Sequence, residues 1–336
     1  MTSTVIGSER ERSARRVPGV GAAVAGVGSC VPAGVVRNDA IAARLGVDES
    51  WLARRTGTAV RHVARPEERL EDLAAGAARI ALADASIDPG EIDAVLVGTT
   101  TSDEMSPHSA PLVAADIGAT RAAAIDVSSA CVGFLACMVT GTAMIESGRA
   151  HKVLVIGADI LTRYLDPDDP QSAMLFGDGA GAVVLVATEG AWRVGPSLLG
   201  ADGSGRDLIR LDRVERWIRM DGRAVYRRAV PLMADSALRL LAEAGLEVPE
   251  VELFVFHQAN SRILAAVAER LGVPDSRLVD VVGRFANTSS ASLPIALGVA
   301  VEEGRLHAGD RVLLAAFGAG LVWGGLVLTW GISPAQ

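Results

Sequence analysis

A chain of 336 residues, half of them hydrophobic and 21% charged, has a globular composition and enough length for two core-forming halves. A formal charge of −8, with no basic stripe interleaved with aromatics, implies no general polyanion affinity and argues against nucleic acid. Cys30, Cys131 and Cys137, an odd count without C-x-x-C spacing, argue against a disulfide framework or a zinc site and suit a reducing cytoplasm.

Residues 1–16 are polar and are expected to form a disordered extension. The uncharged stretch Val17–Val36 follows Arg15 and Arg16, much like a signal peptide. Pro18, Pro32 and five glycines make it a poor continuous helix, so it reads as a buried strand with flanking turns. No membrane-spanning helix is expected.

Further along, the chain repeats itself. Residues 73–99 align without a gap to 232–258, an offset of 159. Each copy reads as an amphipathic helix, a turn with a proline (Pro89, Pro249) and a buried strand. KVLVIGAD from Lys152 matches RVLLAAFG from Arg311 at the same offset, whereas IESGR at Ile145 matches VEEGR at Val301 at 156. One small indel therefore lies between. The apolar runs AVLVG, KVLVIG, AVVLV and RVLLAAF suit strands covered on both faces. The expectation is a duplicated α/β fold, with halves at 17–190 and 191–336.

The duplication bears on chemistry. Cys131 closes DVSSAC, a strand leading into a helix near ACVGF; adding 156 gives Asn287, at the end of GRFAN. The two are thereby assigned to equivalent strand-to-helix junctions, with His257 at the end of the repeated strand, where α/β sheets place their chemistry. Alone, a cysteine is more often a packing residue, a histidine a structural one, and an asparagine equally a helix cap. A helix N-terminus, however, stabilises thiolate over thiol. Ser128, Ser129, Ala130 and Gly133 are small enough to admit a substrate. Thioester exchange needs such a soft nucleophile. The polar tract HQAN directly after LFVF places His257 at a strand mouth. There a neutral imidazole and the Asn287 amide can both donate to a developing enolate oxygen. Cys137 reads as packing, Cys30 has no evident partner, and His62, His108, His151 and His307 lie among polar or turn residues.

Seven blocks, GVGSCVPAGVVRND, ESWLARRTG, DVSSACVGF, FGDGAGAVVL, HQANSRI, NTSSASLP and AFGAGLVWG, run in register from about Val20 to Trp330. In order and spacing they resemble the ketoacyl-acyl carrier protein synthase III group of thiolase-fold enzymes. The resemblance implies two duplicated halves with mixed sheets in a layered αβαβα arrangement, and a cytoplasmic homodimer. It implies a triad of Cys131, His257 and Asn287, and an oxyanion hole from the backbone N–H groups of Cys131 and Ala319. An acyl-CoA starter would acylate Cys131; malonyl on an acyl carrier protein would then lose carbon dioxide and attack. No metal or bound redox cofactor is implied, because decarboxylation supplies the carbanion. The setting would be fatty-acid initiation or polyketide priming.

By the same resemblance, Trp51, Arg55 and Arg163 would grip the adenine and phosphate end of CoA, with Gly222 and Tyr226 beside the pantetheine arm. Arg227, Arg262 and Arg270 would form the carrier-protein patch, although each arginine alone reads as a solvated charge. The sequence departs from the family pattern in four places. Ser106 stands where a phenylalanine often closes the acyl pocket across the dimer, leaving space for a starter larger than acetyl. Ala286 and Ala319 replace glycines, and Val47 replaces a polar residue. Two other readings compete: an acyltransferase moving an acyl or malonyl group to an alcohol or amine of a specialised metabolite, and a non-catalytic subunit of the fold. The intact Asn287 favours condensation over the first; the complete triad counts against the second.

Overall fold

The computed structural model describes residues 19–189, 193–212 and 214–331. The extension expected at 1–16 and the junction expected at 190/191 lie outside those residues. Where a signal peptide was the rival reading, Val20–Cys30 forms a strand, β1. It joins β2 (Ala94–Gly98), β3 (Ala123–Val127), β4 (Lys152–Ile160) and β5 (Asp178–Glu189) in a mixed sheet of order β1-β5-β4-β2-β3. A second sheet holds β6 (Val194–Ala201), β7 (Leu253–Phe256), β8 (Arg311–Gly318) and β9 (Val322–Thr329) in the order β7-β8-β9-β6.

The halves are copies of one design. In each, a central pair runs parallel (β2 with β4, β7 with β8) and the strands on one side of it are antiparallel, while the first sheet adds β3 parallel to β2 on the other side. The counterpart of edge strand β3 is reduced to a single bridge between Phe254 and Leu278. Outer helices α1 (Leu70–Asp84) and α2 (Ser109–Ile117) cover one sheet. Between the sheets lie α3 (Gly133–Glu146) and α6 (Ser292–Glu302), while α4 (Gly222–Ala244) and α5 (Ser261–Leu271) cover the second sheet. The result is the layered αβαβα arrangement. GFLACMVTGTAMIE and SLPIALGVAVE are apolar nearly all round because both faces of the central layer meet a sheet. Cys137 packs inside that layer, as expected. Among the described residues no helix is long and apolar enough to cross a membrane.

One sequence-based equivalence is corrected. The 3-10 turns before the central helices, Ala130–Val132 and Ser289–Ala291, are offset by 159, as are the starts of α3 and α6. Helix α3 has 14 residues and α6 has 11. The offset of 156 is therefore acquired at the far end of α6 and had been carried back across a helix that is shorter. The structural counterpart of Cys131 is Ser290. Asn287 sits three residues earlier, in the loop entering that turn. The paired turns are also conformationally alike, with positive φ at Ala130 (44°) and Ser289 (53°).

The central helices start hard against the strand ends. A Cβ on Gly157 would lie 2.2 Å from the Ser290 carbonyl oxygen, and one on Gly318 would lie 2.9 Å from the Cys131 nitrogen. Glycine at these two points lets β4 pack against the Ser289–Ala291 turn and β8 against the Ala130–Val132 turn.

Candidate active site

Cys131, His257 and Asn287 line one cavity of about 760 Å³. Cys131 lies on the turn just ahead of α3, not within its first turn. The expected thiolate-favouring environment does not hold for the free site. Burial pushes the Cys131 thiol up to about 11, the Asp159 carboxylate adds to the rise, and the Ser289 hydroxyl, donating to Sγ at 3.4 Å, opposes it. Helix polarity is legible in sequence, whereas the depth of the pocket is not, and here desolvation is the larger effect.

His257 extends β7 by one residue, its N–H donating to the Ala315 carbonyl at 2.9 Å. It is only 2% exposed, and burial lowers its pKa to about 4, so the ring is neutral near pH 7. Ser292 Oγ lies 2.6 Å from Nδ1 and accepts the Gln258 N–H at 3.4 Å. Donation from this hydroxyl to Nδ1 goes with the tautomer whose Nε2 carries the ring proton, the form needed for a donor in the cavity.

Asn287 is held at both ends of its peptide. Its N–H donates to the Leu175 carbonyl at 2.9 Å and its carbonyl accepts the Gly177 N–H at 3.0 Å. The side-chain Oδ1 accepts the Ser289 N–H at 2.9 Å, so Nδ2 is the group left for the cavity. The capping role and the donor role are thus two ends of one amide. The preceding Ala286 adopts φ 58°, ψ −156°, a region that favours glycine. The alanine noted in sequence therefore carries backbone strain beside the site.

From this buried floor the cavity rises past Phe176, Met220, Met233 and Phe317 to an exposed rim. Trp51, in the helix Glu49–Thr56 capped by Asp48, lies 5.3 Å below the Arg55 guanidinium; Arg262 lies 5.9 Å from the Tyr226 ring. Gly222, Arg227 and Ala319 also line the cavity. Three predicted residues are not brought in. Arg163 is tied to the Asp103 carboxylate and the Glu68 carbonyl, which hold its guanidinium off the cavity wall. Arg270 pairs with Asp235 at 3.2 Å on the outer face of α5. Ser106 is exposed on the loop before α2 and does not line the cavity of its own chain. Conversely, Asp159, Ser289 and Ser292 act on the triad but were not singled out in sequence. Their signals were an acid inside the apolar strand KVLVIGADI and the hydroxyl-rich tract NTSSAS.

A thiol on the turn ahead of a central helix of a layered αβαβα fold, sharing one cavity with an imidazole and a carboxamide, is the arrangement of a condensing enzyme of the thiolase superfamily. The family described as 3-oxoacyl-[acyl-carrier-protein (ACP)] synthase III matches residues 125–203, and its C-terminal part matches 241–330. Beta-ketoacyl-[acyl-carrier-protein] synthase III 3 of Streptomyces coelicolor is 44% identical over 323 residues, covering 91% of this chain and 96% of that protein. The structure of 3-oxoacyl-(acyl carrier protein) synthase III from Pseudomonas aeruginosa superposes with a TM-score of 0.90 at 41% identity, covering 94% of this chain and all of that one (100%). The priming beta-ketosynthase from the R1128 polyketide biosynthetic pathway gives 0.89 at 35% identity, covering 93% and 97%. The chain belongs to the 3-oxoacyl-[acyl-carrier-protein] synthase III family.

Proposed function

We propose that the protein condenses an acyl-CoA starter with malonyl on an acyl carrier protein, through an acyl group carried on Cys131. The observation that carries this reading is that His257, anchored at Nδ1, and Asn287, anchored at Oδ1, share the cavity of the thiol, which in this reading leaves Nε2–H and Nδ2 as paired donors. Loading forms the Cys131 Sγ–acyl bond and releases CoA. When malonyl replaces CoA, its carboxylate leaves as carbon dioxide and the electron pair passes into an enolate. The enolate oxygen is stabilised by the two donors, and its carbon attacks the acyl carbonyl. The oxygen charge formed in that attack would rest on the N–H groups of Cys131 and Ala319. Expulsion of Cys131 sulfur completes the turnover.

The rim fits the nucleotide and pantetheine portions of the substrates. Trp51 and Arg55 offer an aromatic face and a cation, Gly222 and Tyr226 flank the shaft, and Arg227 and Arg262 face the strongly acidic carrier. A homodimer is supported by the exposed edge strand β3, where Ile125 is 46% exposed, and in such a dimer Ser106 would reach the acyl pocket of the second protomer. Simple transfer to an alcohol or amine needs no enolate donor, so the paired donors favour condensation. The setting in this reading is fatty-acid initiation or polyketide priming in a reducing cytoplasm.

Incubation with a panel of acyl-CoAs, read by intact mass, should place one acyl group on the wild type and none on Cys131→Ala. Acyl transfer from the loaded enzyme to an alcohol or amine, with malonyl carrier left untouched, would overturn the reading.

A further inference from the structure

Asp159 is a fully buried carboxyl near the end of β4 (0% exposed) that the mechanism above leaves without a task. Its Oδ1 accepts the Thr99 hydroxyl at 3.2 Å, the Thr100 N–H at 3.0 Å, the Thr100 hydroxyl at 3.2 Å and the Thr101 hydroxyl at 2.9 Å. Its Oδ2 accepts the Ser290 N–H at 3.2 Å, one residue beyond Ser289. The Ser289 hydroxyl lies 3.4 Å from Cys131 Sγ and opposes the rise that burial gives the Asp159 carboxyl, so by rotating it can serve either group. All of these donors are neutral. The titratable groups facing Cys131 are Asp159 from β4 and His257 from the end of β7. Those facing Asp159 are Cys131 and the hydroxyls just named.

We propose that Asp159 holds the thiol proton of Cys131, received through the Ser289 hydroxyl, for as long as Cys131 carries the acyl group. The inference rests on the acyl-cysteine of the proposed function. His257 is a poor recipient, because burial lowers it to about 4 and Ser292 occupies its Nδ1. Burial raises Asp159, and the charge on Asp159 raises Cys131, so the pair favours sharing a single proton. A hydroxyl can serve the transfer in both directions.

In loading, the Cys131 S–H bond breaks and its proton passes to Ser289 Oγ, whose own proton passes to Asp159. The sulfur bonds the acyl carbon, and CoA leaves as thiolate and takes a proton from water at the open rim. In condensation, Cys131 departs as thiolate and recovers its proton from Asp159 by the reverse path. Each cycle thus returns Asp159 to its carboxylate. Asp159 is a positioning residue in this scheme, since it acts through Ser289.

The test separates this role from simple support of the fold. Iodoacetamide alkylation of the acyl-free enzyme across pH gives the thiol midpoint, and rapid-quench intact mass with an acyl-CoA gives the loading rate. Asp159→Asn removes the opposing charge, so the alkylation midpoint falls and the rate at about pH 7.5 rises roughly tenfold per unit of that fall. Loading, in contrast, drops by about 10²-fold, the scale of a lost proton acceptor. Ser289→Ala leaves Asp159 in place, raises the midpoint and also slows loading. The proposal is overturned if alkylation and loading fall together in Asp159→Asn, or if Ser289→Ala loads at the wild-type rate. Should the wild type accept no acyl group from any acyl-CoA, the proposed function fails, while the Asp159→Asn midpoint still reports the coupling of carboxyl and thiol.

Discussion

Replacing Asn287 tests the division of labour between thiol and donors. Asn287→Asp is nearly isosteric and keeps an oxygen to accept the Ser289 N–H at 2.9 Å, so the loop entering the Ser289–Ala291 turn retains its anchor. What changes is the cavity-side atom: a donor becomes a buried oxygen acceptor aimed at the enolate. Loss of one such donor costs about 10²–10³-fold in rate, or about 3–4 kcal/mol, before any repulsion from a carboxylate is added. Asn287→Ala removes the donor without the charge, and forfeits about 1 kcal/mol with the Ser289 bond. Decarboxylation of malonyl carrier, followed by carbon dioxide release, should therefore fall about 10²–10³-fold in Asn287→Ala and further in Asn287→Asp. Loading of Asn287→Ala from acyl-CoA, followed by intact mass, should stay within a fewfold of wild type, because no enolate forms in that step. Equal losses at both steps would refute the assignment of Nδ2 to the enolate oxygen.

Three further outcomes are expected. Ser292→Ala removes the donor to His257 Nδ1 at 2.6 Å, so the tautomer is no longer fixed; decarboxylation should fall about tenfold with loading unchanged, and parallel losses would discount tautomer control. Because folding lowers His257 to about 4, the unfolded chain binds the extra proton below its ordinary value near 6.5. Stability is unaffected above that pH and declines as pH falls from 6.5 toward 4, by about 3 kcal/mol in all. Thermal melts should show His257→Gln losing less than wild type between about pH 7 and 4.5, and identical losses would contradict the neutral buried ring. Ala286→Gly relieves a φ of 58°. Strain of about 1–3 kcal/mol, less the unfolded-state entropy of glycine, predicts a melting point higher by about 1–3 °C, and a lower one would show that alanine is not strained there.

Much of this site was legible before any coordinates. The repeated helix–turn–strand units located β2 and β7 at the correct offset, because continuous apolar runs between polar turns survive as sequence pattern. Cys131, His257 and Asn287 were identifiable as polar residues at the ends of such runs. What the pattern concealed was depth and competition. An offset taken from the end of α6 misassigned the partner of Cys131, since a shorter helix and a longer following loop cancel in the numbering. Arg163 matched a motif, yet Asp103 lies close enough to claim its guanidinium. The thiol next to a helix start was expected to ionise easily, but burial decides otherwise. Asp159 reads as one acid in an apolar strand, and only the fold brings three threonines and the Ser289 turn around it.

The most direct test is a single turnover of acyl-loaded enzyme with malonyl carrier, with both proteins weighed afterwards. The enzyme should lose its acyl adduct while the carrier loses carbon dioxide and gains that same acyl group. A carrier that keeps its malonyl group intact, or sheds carbon dioxide while the adduct stays on Cys131, would mean that the thiol and its two donors do not act on a common thioester.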